Sequence, residues 1–458
     1  MKVLIIGAGK FGYKLAEEML SNDMDVTIMD TNPKILERID NQLDVLTVTG
    51  NGVQLEMLRK LEIYTYDFTV AVTNSDETNI VICSIVKKMG CKKTVARVRN
   101  PEYVEELKFI KEKMEIDYIV NPELAIATEI SRYLLKKYSF YANEFVKGKV
   151  SMIDINVNEF PECINKKVLE LDGMEDILIT AISRDGDTII PNGKTILNEN
   201  DTMYVIGTKK AIKELTEKST TPKFNKNIRR VMILGGGKIG YYLAKKLIKE
   251  GIHVKIIEQN ADRCEYLSET LEKALVINGD GSDINLLEEE DIKAMDALVC
   301  ATDFDEVNLL MSILSKQSGV KEVISKVSRP NYGRIIRKLG VDVALNPINI
   351  SVSNILKFIQ GGKIIAVSLL LGDQAEVFEI IASQESPIVG KPISQLKFPR
   401  GIIIGAISHN GKVIIPTGDT IIYPNDRLVI FCLKSEIPTL ESFIMPKRGG
   451  LFSKGRIL

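Results

Sequence analysis

Apolar residues in the first quarter of the chain fall into short runs, and most of these runs are followed by segments with apolar residues at helical spacing. The run at 3–6 enters a glycine turn at 7–12, and the apolar residues from Tyr13 to Leu20 then recur on one helical face. Strands that alternate with helices predict a parallel sheet covered by helices on both faces, the doubly wound arrangement. The predicted strands here are 3–6, 26–30, 45–48, 68–72, 94–98 and 118–120.

From Val150 onward the hydrophobic period changes from helical spacing to two. Ile153, Ile155 and Val157 alternate with polar residues, and apolar runs at 177–183 and 202–207 follow, with turn residues between them. Alternation of this kind predicts half-buried strands joined in hairpins. A short helix closes this small α+β domain, and a polar segment then separates the two halves of the chain.

The second half repeats the first in the same order. A second glycine turn at 235–240 follows a second apolar run, Asn346-Pro347 repeats Asn121-Pro122, and 406–416 repeats 181–191. The fold class we predict is α/β, with two Rossmann-like doubly wound parallel-sheet domains, each followed by a small α+β domain. The predicted segments are the first Rossmann-like domain at 1–122, a crossover helix at 123–144, a small domain at 145–216, a linker at 217–229, the second Rossmann-like domain at 230–347, a crossover helix at 348–362, a small domain at 363–445 and a basic tail at 446–458.

The two crossover helices carry more apolar surface than exposed helices need. Each begins with an asparagine cap and a proline at the first helical position. Their apolar faces must therefore pack on a partner, either another subunit or the adjoining small domain of the same chain. The residues of these faces are Ile126, Ile130 and Leu134 in the first helix, and Ile350, Val352, Ile355 and Ile359 in the second.

The glycine turn has the pattern of a dinucleotide-binding turn. Gly7 permits the tight turn, Gly9 lets the backbone approach a pyrophosphate, and Gly12 lets helix and strand pack closely, with free N–H groups at the helix N-terminus. Asp30 ends the second strand about 20 residues later, where an acid accepts ribose hydroxyls and repels a 2′-phosphate. Glu258 occupies the same place in the second half. This favours NAD or ATP over NADP, the alternatives being glycine turns without a ligand and acids that are merely solvated.

Composition narrows the class of protein. The 458 residues carry a net charge of −1 with acids and bases interspersed, which argues against a nucleic-acid-binding surface. No apolar run reaches the roughly 20 residues that a membrane span requires. Met1-Lys2 leads directly into a strand without a signal peptide, so we expect a cytoplasmic protein. The six cysteines show no C-x-x-C spacing, and we expect no metal site.

An NAD-dependent oxidoreductase is the alternative from another class. Hydride transfer to a carbonyl usually needs a proton donor beside the nicotinamide. The only two histidines, His253 and His409, lie away from both predicted nucleotide sites, and the small domains contain no evident catalytic cluster. We therefore assign no catalytic residues.

These repeated motifs resemble the regulatory proteins of Trk-type potassium-uptake systems, which contain two tandem RCK domains. The resemblance extends from Met1 to about residue 440, with the four domains in the family's order. It implies a non-enzymatic, nucleotide-sensing subunit that binds NAD(H), with ATP or ADP as further ligands. It also implies a cytoplasmic homotetramer at the inner face of the cell membrane, gating a TrkH- or TrkG-like potassium-translocating subunit. An RCK-type sensor of another transporter is the alternative within this class.

The resemblance also implies which residues line the nucleotide sites: the glycine turn, the acid after the second strand, two later polar loops and a basic residue on the fifth strand. The second site departs from the family pattern, because it has an additional anion and a lysine in place of arginine. Thr73 and Asn74 could instead cap the following helix, and Arg97 could be a surface ion-pair residue. The first site is expected at Gly7, Ala8, Gly9, Lys10, Phe11, Gly12, Asp30, Asn51, Gly52, Thr73, Asn74 and Arg97, and the second at Gly235, Gly236, Gly237, Lys238, Ile239, Gly240, Glu258, Asp280, Thr302, Asp303 and Lys326.

Overall fold

The chain folds into two compact units, each built from both halves of the sequence. The first unit comprises Met1–Leu135 and Asn227–Ile359, and the second comprises Lys136–Lys226 and Gln360–Leu458. The computed structural model describes residues 1–22, 24–104, 106–135, 143–146, 148–171, 176–184, 187–218, 228–329, 339–359, 364–370 and 375–444. The basic tail and most of the predicted linker lie outside these residues.

The first half of the chain contains eleven strands and eight helices among its described residues. In chain order they are β1 (Lys2–Ile6), α1 (Lys10–Leu20), β2 (Asp25–Asp30), α2 (Pro33–Asp40), β3 (Leu46–Thr49), α3 (Leu55–Lys60), β4 (Phe68–Ala71), α4 (Asp76–Lys88), β5 (Lys93–Arg97), α5 (Pro101–Val104), α6 (Leu107–Lys113), β6 (Tyr118–Val120), α7 (Pro122–Leu135), β7 (Asn143–Phe145), β8 (Val150–Asn156), β9 (Ile177–Arg184), β10 (Asp187–Ile189), β11 (Thr202–Thr208) and α8 (Lys209–Glu217).

The second half repeats this order. Its described elements are β12 (Arg230–Leu234), α9 (Lys238–Lys249), β13 (His253–Glu258), α10 (Ala261–Thr270), β14 (Ala274–Asn278), α11 (Ile284–Glu289), β15 (Ala297–Cys300), α12 (Asp305–Gln317), β16 (Glu322–Lys326), β17 (Val343–Leu345), α13 (Pro347–Ile359), β18 (Ile364–Leu370), β19 (Ala375–Ile381), β20 (Ile402–His409), β21 (Lys412–Ile414), β22 (Arg427–Leu433) and α14 (Ile437–Ile444).

The first unit holds two parallel six-stranded sheets, which confirms the two Rossmann-like domains. Their strand orders are β3-β2-β1-β4-β5-β6 and β14-β13-β12-β15-β16-β17. In β1, Val3 and Ile5 pack into one core and Leu4 and Ile6 into another, because successive side chains point to opposite faces of a sheet that is covered on both sides. The strand order reverses beside β1 and beside β12, and ligands bind such sheets at this switch point.

The second unit holds the two small domains, each with a five-stranded antiparallel sheet. The strand orders are β10-β9-β11-β8-β7 and β18-β19-β22-β20-β21. Side chains from both domains form one core, in which Phe145 and Tyr204 of the first belong to the same cluster as Val377 and Phe431 of the second. The predicted α+β class of these domains is confirmed.

The crossover helices are exchanged between the two Rossmann-like domains of the first unit. α7, which leaves the first domain, packs on α9 of the second, and α13 packs on α1 of the first. Ile126 and Ile130 are fully buried, and Phe358 of α13 stacks on Tyr118 with ring centroids 4.8 Å apart. The apolar faces therefore have a partner within the chain, but it is not the adjoining small domain that we named. The partner is the opposite Rossmann-like domain, and neither another subunit nor the small domain is needed to bury these faces.

Among the described residues, none of the helices combines the length and the apolar character needed to cross a bilayer.

Candidate functional site

The first glycine turn lies at the carboxyl end of β1 and leads directly into α1. Gly7 has a φ of +112°, and a Cβ added at Gly12 would lie 1.9 Å from the Gly7 carbonyl oxygen, so neither position accepts a side chain without strain. A Cβ at Gly9 would meet nothing within 4 Å, and Gly9 caps α1 without a side-chain hydrogen bond. The backbone amides at this helix N-terminus therefore face open space, where an anion can bind.

The second glycine turn has the same geometry. Gly235 has a φ of +100°, and a Cβ at Gly240 would lie 2.1 Å from the Gly235 carbonyl oxygen. A Cβ at Gly237 would again meet nothing within 4 Å. One difference is local: a Cβ at Gly236 would lie 2.4 Å from Leu267 Cδ1, whereas Ala8 stands at the corresponding place in the first turn.

Each strand-end acid is bound to the glycine turn beside it. Asp30 accepts hydrogen bonds from the backbone N–H of Ala8 at 2.7 Å and of Asn32 at 2.9 Å. Glu258 accepts from Gly236 at 2.7 Å and from Asn260 at 2.8 Å. These carboxylates are held in one orientation at the mouth of the turn, so they differ from freely solvated acids and retain lone pairs that can accept hydroxyl groups.

The polar loop after β4 is held by a residue that the sequence analysis did not single out, Asn79. Its side-chain oxygen accepts hydrogen bonds from Thr73 N at 2.8 Å and from Thr73 Oγ1 at 2.7 Å, and its nitrogen donates to the Arg97 carbonyl at 2.9 Å. Asn308 makes the corresponding bonds with Thr302 and Lys326 in the second domain. The signal was available, because this asparagine recurs in both copies of the loop.

The helix-cap alternative for Thr73 and Asn74 does not describe this loop. The cap of α4 is Ser75, whose hydroxyl accepts from Thr78 N at 3.0 Å. Thr73 instead accepts through its carbonyl oxygen a 2.6 Å hydrogen bond from Arg97 Nη2. The Thr73 carbonyl thus connects the fourth and fifth strands at the switch point.

Arg97 is a buried cation and not a surface ion-pair residue. It is 8% exposed, its guanidinium lies 5.5 Å from the centre of the Phe11 ring, and its Nε has no hydrogen-bond partner among the described residues. Burial, with repulsion from Arg99, lowers its pKa to about 10. A buried cation with an unused donor is suited to an anionic ligand.

One cleft of about 1060 Å³ joins the first site to part of the second. Its floor is formed by the first glycine turn, Asp30, Asn51, Gly52 and the loop at 73–75. The second domain lines the cleft with the start of α9, the loop after β15 and the end of β16. The lining residues are Gly237, Lys238, Ile239, Ala301, Asp303 and Lys326. The sequence predicted two separate sites, and the shared cleft between them was not anticipated.

Glu123 is a second residue of the cleft that the sequence analysis did not identify. Its Oε2 is buried without a hydrogen-bond partner among the described residues. Burial raises the pKa of this carboxyl, although Arg99, Lys238 and Arg97 oppose the shift. The corresponding position after Asn346-Pro347 is Ile348, which lines the same cleft. The glutamate therefore belongs to the first repeat only, and the internal repeat could not have revealed it.

The second site differs from the first in its charges. Lys326 donates to the Thr302 carbonyl at 2.9 Å, as Arg97 does to Thr73, and lies 3.7 Å from the exposed carboxylate of Asp303. Asp280 accepts from both N and Oγ of Ser282, and the backbone hydrogen bond is the chief cause that lowers its pKa. The additional anion that we expected at the second site, Asp303, is thus exposed to solvent and lies beside Lys326.

Two family models match the sequence, and they alternate along it. The TrkA-N domain matches residues 3–122 and 231–347, and the TrkA-C domain matches residues 152–219 and 377–445. The chain belongs to the TrkA family. The family resemblance drawn from the sequence is therefore confirmed.

Curated relatives in the TrkA family match over nearly their whole length. The Trk system potassium uptake protein TrkA homolog 2 of Methanosarcina mazei is 38% identical over 449 residues, which cover 96% of this chain and 99% of that protein. The Trk system potassium uptake protein TrkA of Vibrio alginolyticus is 32% identical over 456 residues, covering 97% of this chain and 99% of that protein.

Solved structures support the fold of this TrkA-family chain. The GsuK channel bound to NAD gives a TM-score of 0.61 at 17% identity, covering 97% of this chain and 78% of that chain. The GsuK RCK domain gives a TM-score of 0.60 at 18% identity, covering 97% of this chain and 94% of that chain. At such low identity the similarity establishes the RCK fold and nothing further.

Proposed function

We propose that this chain is the regulatory subunit of a potassium-uptake system and that it binds an adenine nucleotide, NAD(H) or ATP/ADP, in its first unit. The observation that carries this proposal is the shared cleft, where a glycine turn, an oriented acid and basic residues from two domains converge. The family relationship adds weight, because the curated relatives are named potassium uptake proteins.

The residues of the first site fit such a nucleotide group by group. A pyrophosphate would lie at the N-terminus of α1, where Gly9 leaves room and the backbone amides are free. The ribose hydroxyls would bond to Asp30, whose carboxylate is already held by two backbone amides. A 2′-phosphate would meet the same negative charge, so NAD(H) is preferred to NADP(H).

A nucleotide in the first site would also contact the second Rossmann-like domain. Lys238 lies at the N-terminus of α9 and lines the same cleft, so its ammonium group and the helix N-terminus favour the ligand's phosphates. A ligand that touches both domains stabilises one arrangement of them over others. Occupancy would thus be converted into a rigid-body change between domains.

In our proposal, this rigid-body change acts on a partner protein, a TrkH- or TrkG-like membrane subunit that translocates potassium. The chain would act in the cytoplasm as a homotetramer at the inner face of the membrane, without catalytic turnover. The names of the relatives support the link to potassium uptake.

The test is native mass spectrometry of the purified full chain, followed by calorimetric titration with NADH, ADP and ATP. We expect a tetramer, and we expect at least one of these nucleotides to bind at micromolar concentration. If none of the three binds even at millimolar concentration, the proposal is wrong. A control titration with inorganic pyrophosphate separates nucleotide recognition from simple anion binding.

A further inference from the structure

Arg263 stands beside the second glycine turn, in the first turn of α10. Its Nε donates a 2.8 Å hydrogen bond to the Gly236 carbonyl. Its guanidinium carbon lies 4.6 Å from the ring centre of Tyr266 and 6.0 Å from that of Tyr241. The side chain is only partly buried, so a planar cation is fixed in orientation beside the turn and part of it remains accessible.

The first site has isoleucine at the corresponding position. Ile35 occupies the corresponding position in the first turn of α2, and it lines the cleft beside Asp30. The two sites therefore share a turn and an acid but differ at the third residue of the helix that follows the acid.

We propose that Arg263 is the base-stacking residue of the second site and that the purine of an adenine nucleotide lies on its guanidinium plane. The inference rests on the proposed function. Glu258, held by Gly236 and Asn260, would bind the ribose, and Arg263 lies beside the same turn, where a base attached to that ribose would meet it. A guanidinium is weakly hydrated and stacks readily on flat π-systems, as its position over Tyr266 already shows.

A ribose 2′-phosphate is the other ligand group that an arginine here would suit. Two observations disfavour it. Glu258 holds its negative charge beside the same turn, and the Nε of Arg263 is already bonded to the Gly236 carbonyl. Stacking leaves both of these interactions in place, whereas a phosphate would have to approach the carboxylate.

The experiment is calorimetric titration of the full-length chain with NADH and, separately, with NADPH. In the wild-type chain NADH should bind with two affinities, and Glu258→Ala identifies which of them belongs to the second site. Arg263→Ile, which places the residue of the first site in the second, should weaken that affinity about tenfold, since stacking on a base is worth that much or more. Ile35→Arg should strengthen binding at the first site.

The controls separate stacking from charge and from folding. Arg263→Lys keeps the charge without the plane and should behave like Arg263→Ile, while Arg230→Ile, at the opposite end of β12, should leave both affinities unchanged. Circular dichroism confirms that each variant is folded. Unchanged NADH affinity in folded Arg263→Ile would overturn the inference, as would full affinity in Arg263→Lys or tighter binding of NADPH than of NADH. A wild-type chain that binds no nucleotide would instead contradict the proposed function itself.

Discussion

Tyr242 accepts a 3.1 Å hydrogen bond from the side-chain nitrogen of Asn121, which joins α9 of the second Rossmann-like domain to the residue that caps α7. The same tyrosine hydroxyl donates to the Arg99 carbonyl at 2.9 Å, and Arg99 donates to the Asn74 carbonyl at 2.8 Å. Burial raises the pKa of Tyr242, so the hydroxyl stays protonated and keeps donating. A hydrogen-bonded path therefore runs from Asn74, in the loop after β4, to α9, the helix that follows the second glycine turn.

Replacing Asp30 should weaken binding of NADH at the first site. The variant Asp30→Ala removes the ribose acceptor and the partner of Ala8 N, a loss of about 1–3 kcal/mol for a charge-assisted hydrogen bond. Calorimetric titration of the variant and of the wild type with NADH measures this loss of affinity. Asp25→Ala is the matched control, because Asp25 is exposed at the other end of the same strand. Equal affinities in wild type and Asp30→Ala would exclude this carboxylate from the site.

A residue of the second domain should also affect the first site. Lys238→Ala is expected to weaken nucleotide binding there by about 1 kcal/mol at low salt and by less at high salt, because a partly exposed charge is screened. The measurement is the salt dependence of NADH affinity. Lys249→Ala, at the exposed end of the same helix, should have no effect. An identical salt dependence in wild type and Lys238→Ala would show that the two domains do not share a ligand.

Much of the fold could be predicted from the sequence, because strand and helix periods are local properties and the internal repeat confirmed them independently. The acids Asp30 and Glu258 were placed correctly beside their turns for the same reason, since strand, turn and helix fix their separation. The element that packs against a helix face cannot be predicted in this way. The spacing of Ile126 and Ile130 shows that a face is buried but does not reveal what covers it.

The shared cleft could not be predicted from the sequence, for a related reason. It depends on the exchange of α7 and α13 between domains, which brings Lys238 to the first site. Glu123 illustrates this limit, because it lies on α7, which packs on α9 of the other domain, and its counterpart in the repeat is Ile348. The glycine turns and their acids were predictable within each domain, whereas the packing that places Lys238 beside the first site was not.

The protein should have no turnover with NADH. This prediction rests on the proposed function, in which the bound nucleotide shifts a conformational equilibrium and is not consumed. Absorbance of NADH, followed with pyruvate, oxaloacetate and acetaldehyde as acceptors, should stay at the level of the protein-free control. Steady oxidation that disappears in Asp30→Ala would contradict this prediction, because the variant ties the activity to the site.

Glu123→Gln should stabilise the nucleotide-free chain at neutral and higher pH. The pKa of Glu123 is raised from its ordinary value of 4.5, so at pH values between the ordinary and the raised pKa the folded state holds a proton that the unfolded chain has released. The wild type therefore loses stability as the pH rises from that value through the raised one, and the neutral amide does not. Thermal unfolding should show a higher Tm for the variant at about pH 8 and almost no difference below about pH 4.5. A Tm difference between variant and wild type that is the same at both pH values would exclude ionisation of Glu123 as the cause.

Placing a charge in the face of α7 should destabilise the fold of the first unit. Ile130 is fully buried within the chain, so Ile130→Asp puts a carboxylate into an apolar contact and leaves a cavity, at a cost of about 3–5 kcal/mol or more. The expected result is a lower Tm and loss of native circular dichroism, because the face is needed for the two Rossmann-like domains to pack. Thr128→Asp, on the exposed side of the same helix, is the control and should keep the wild-type Tm. Light scattering then separates the two interpretations of this helix. If Ile130→Asp gave smaller particles that melt like the wild type, the face would be an intersubunit surface and the contact with α9 would be dispensable.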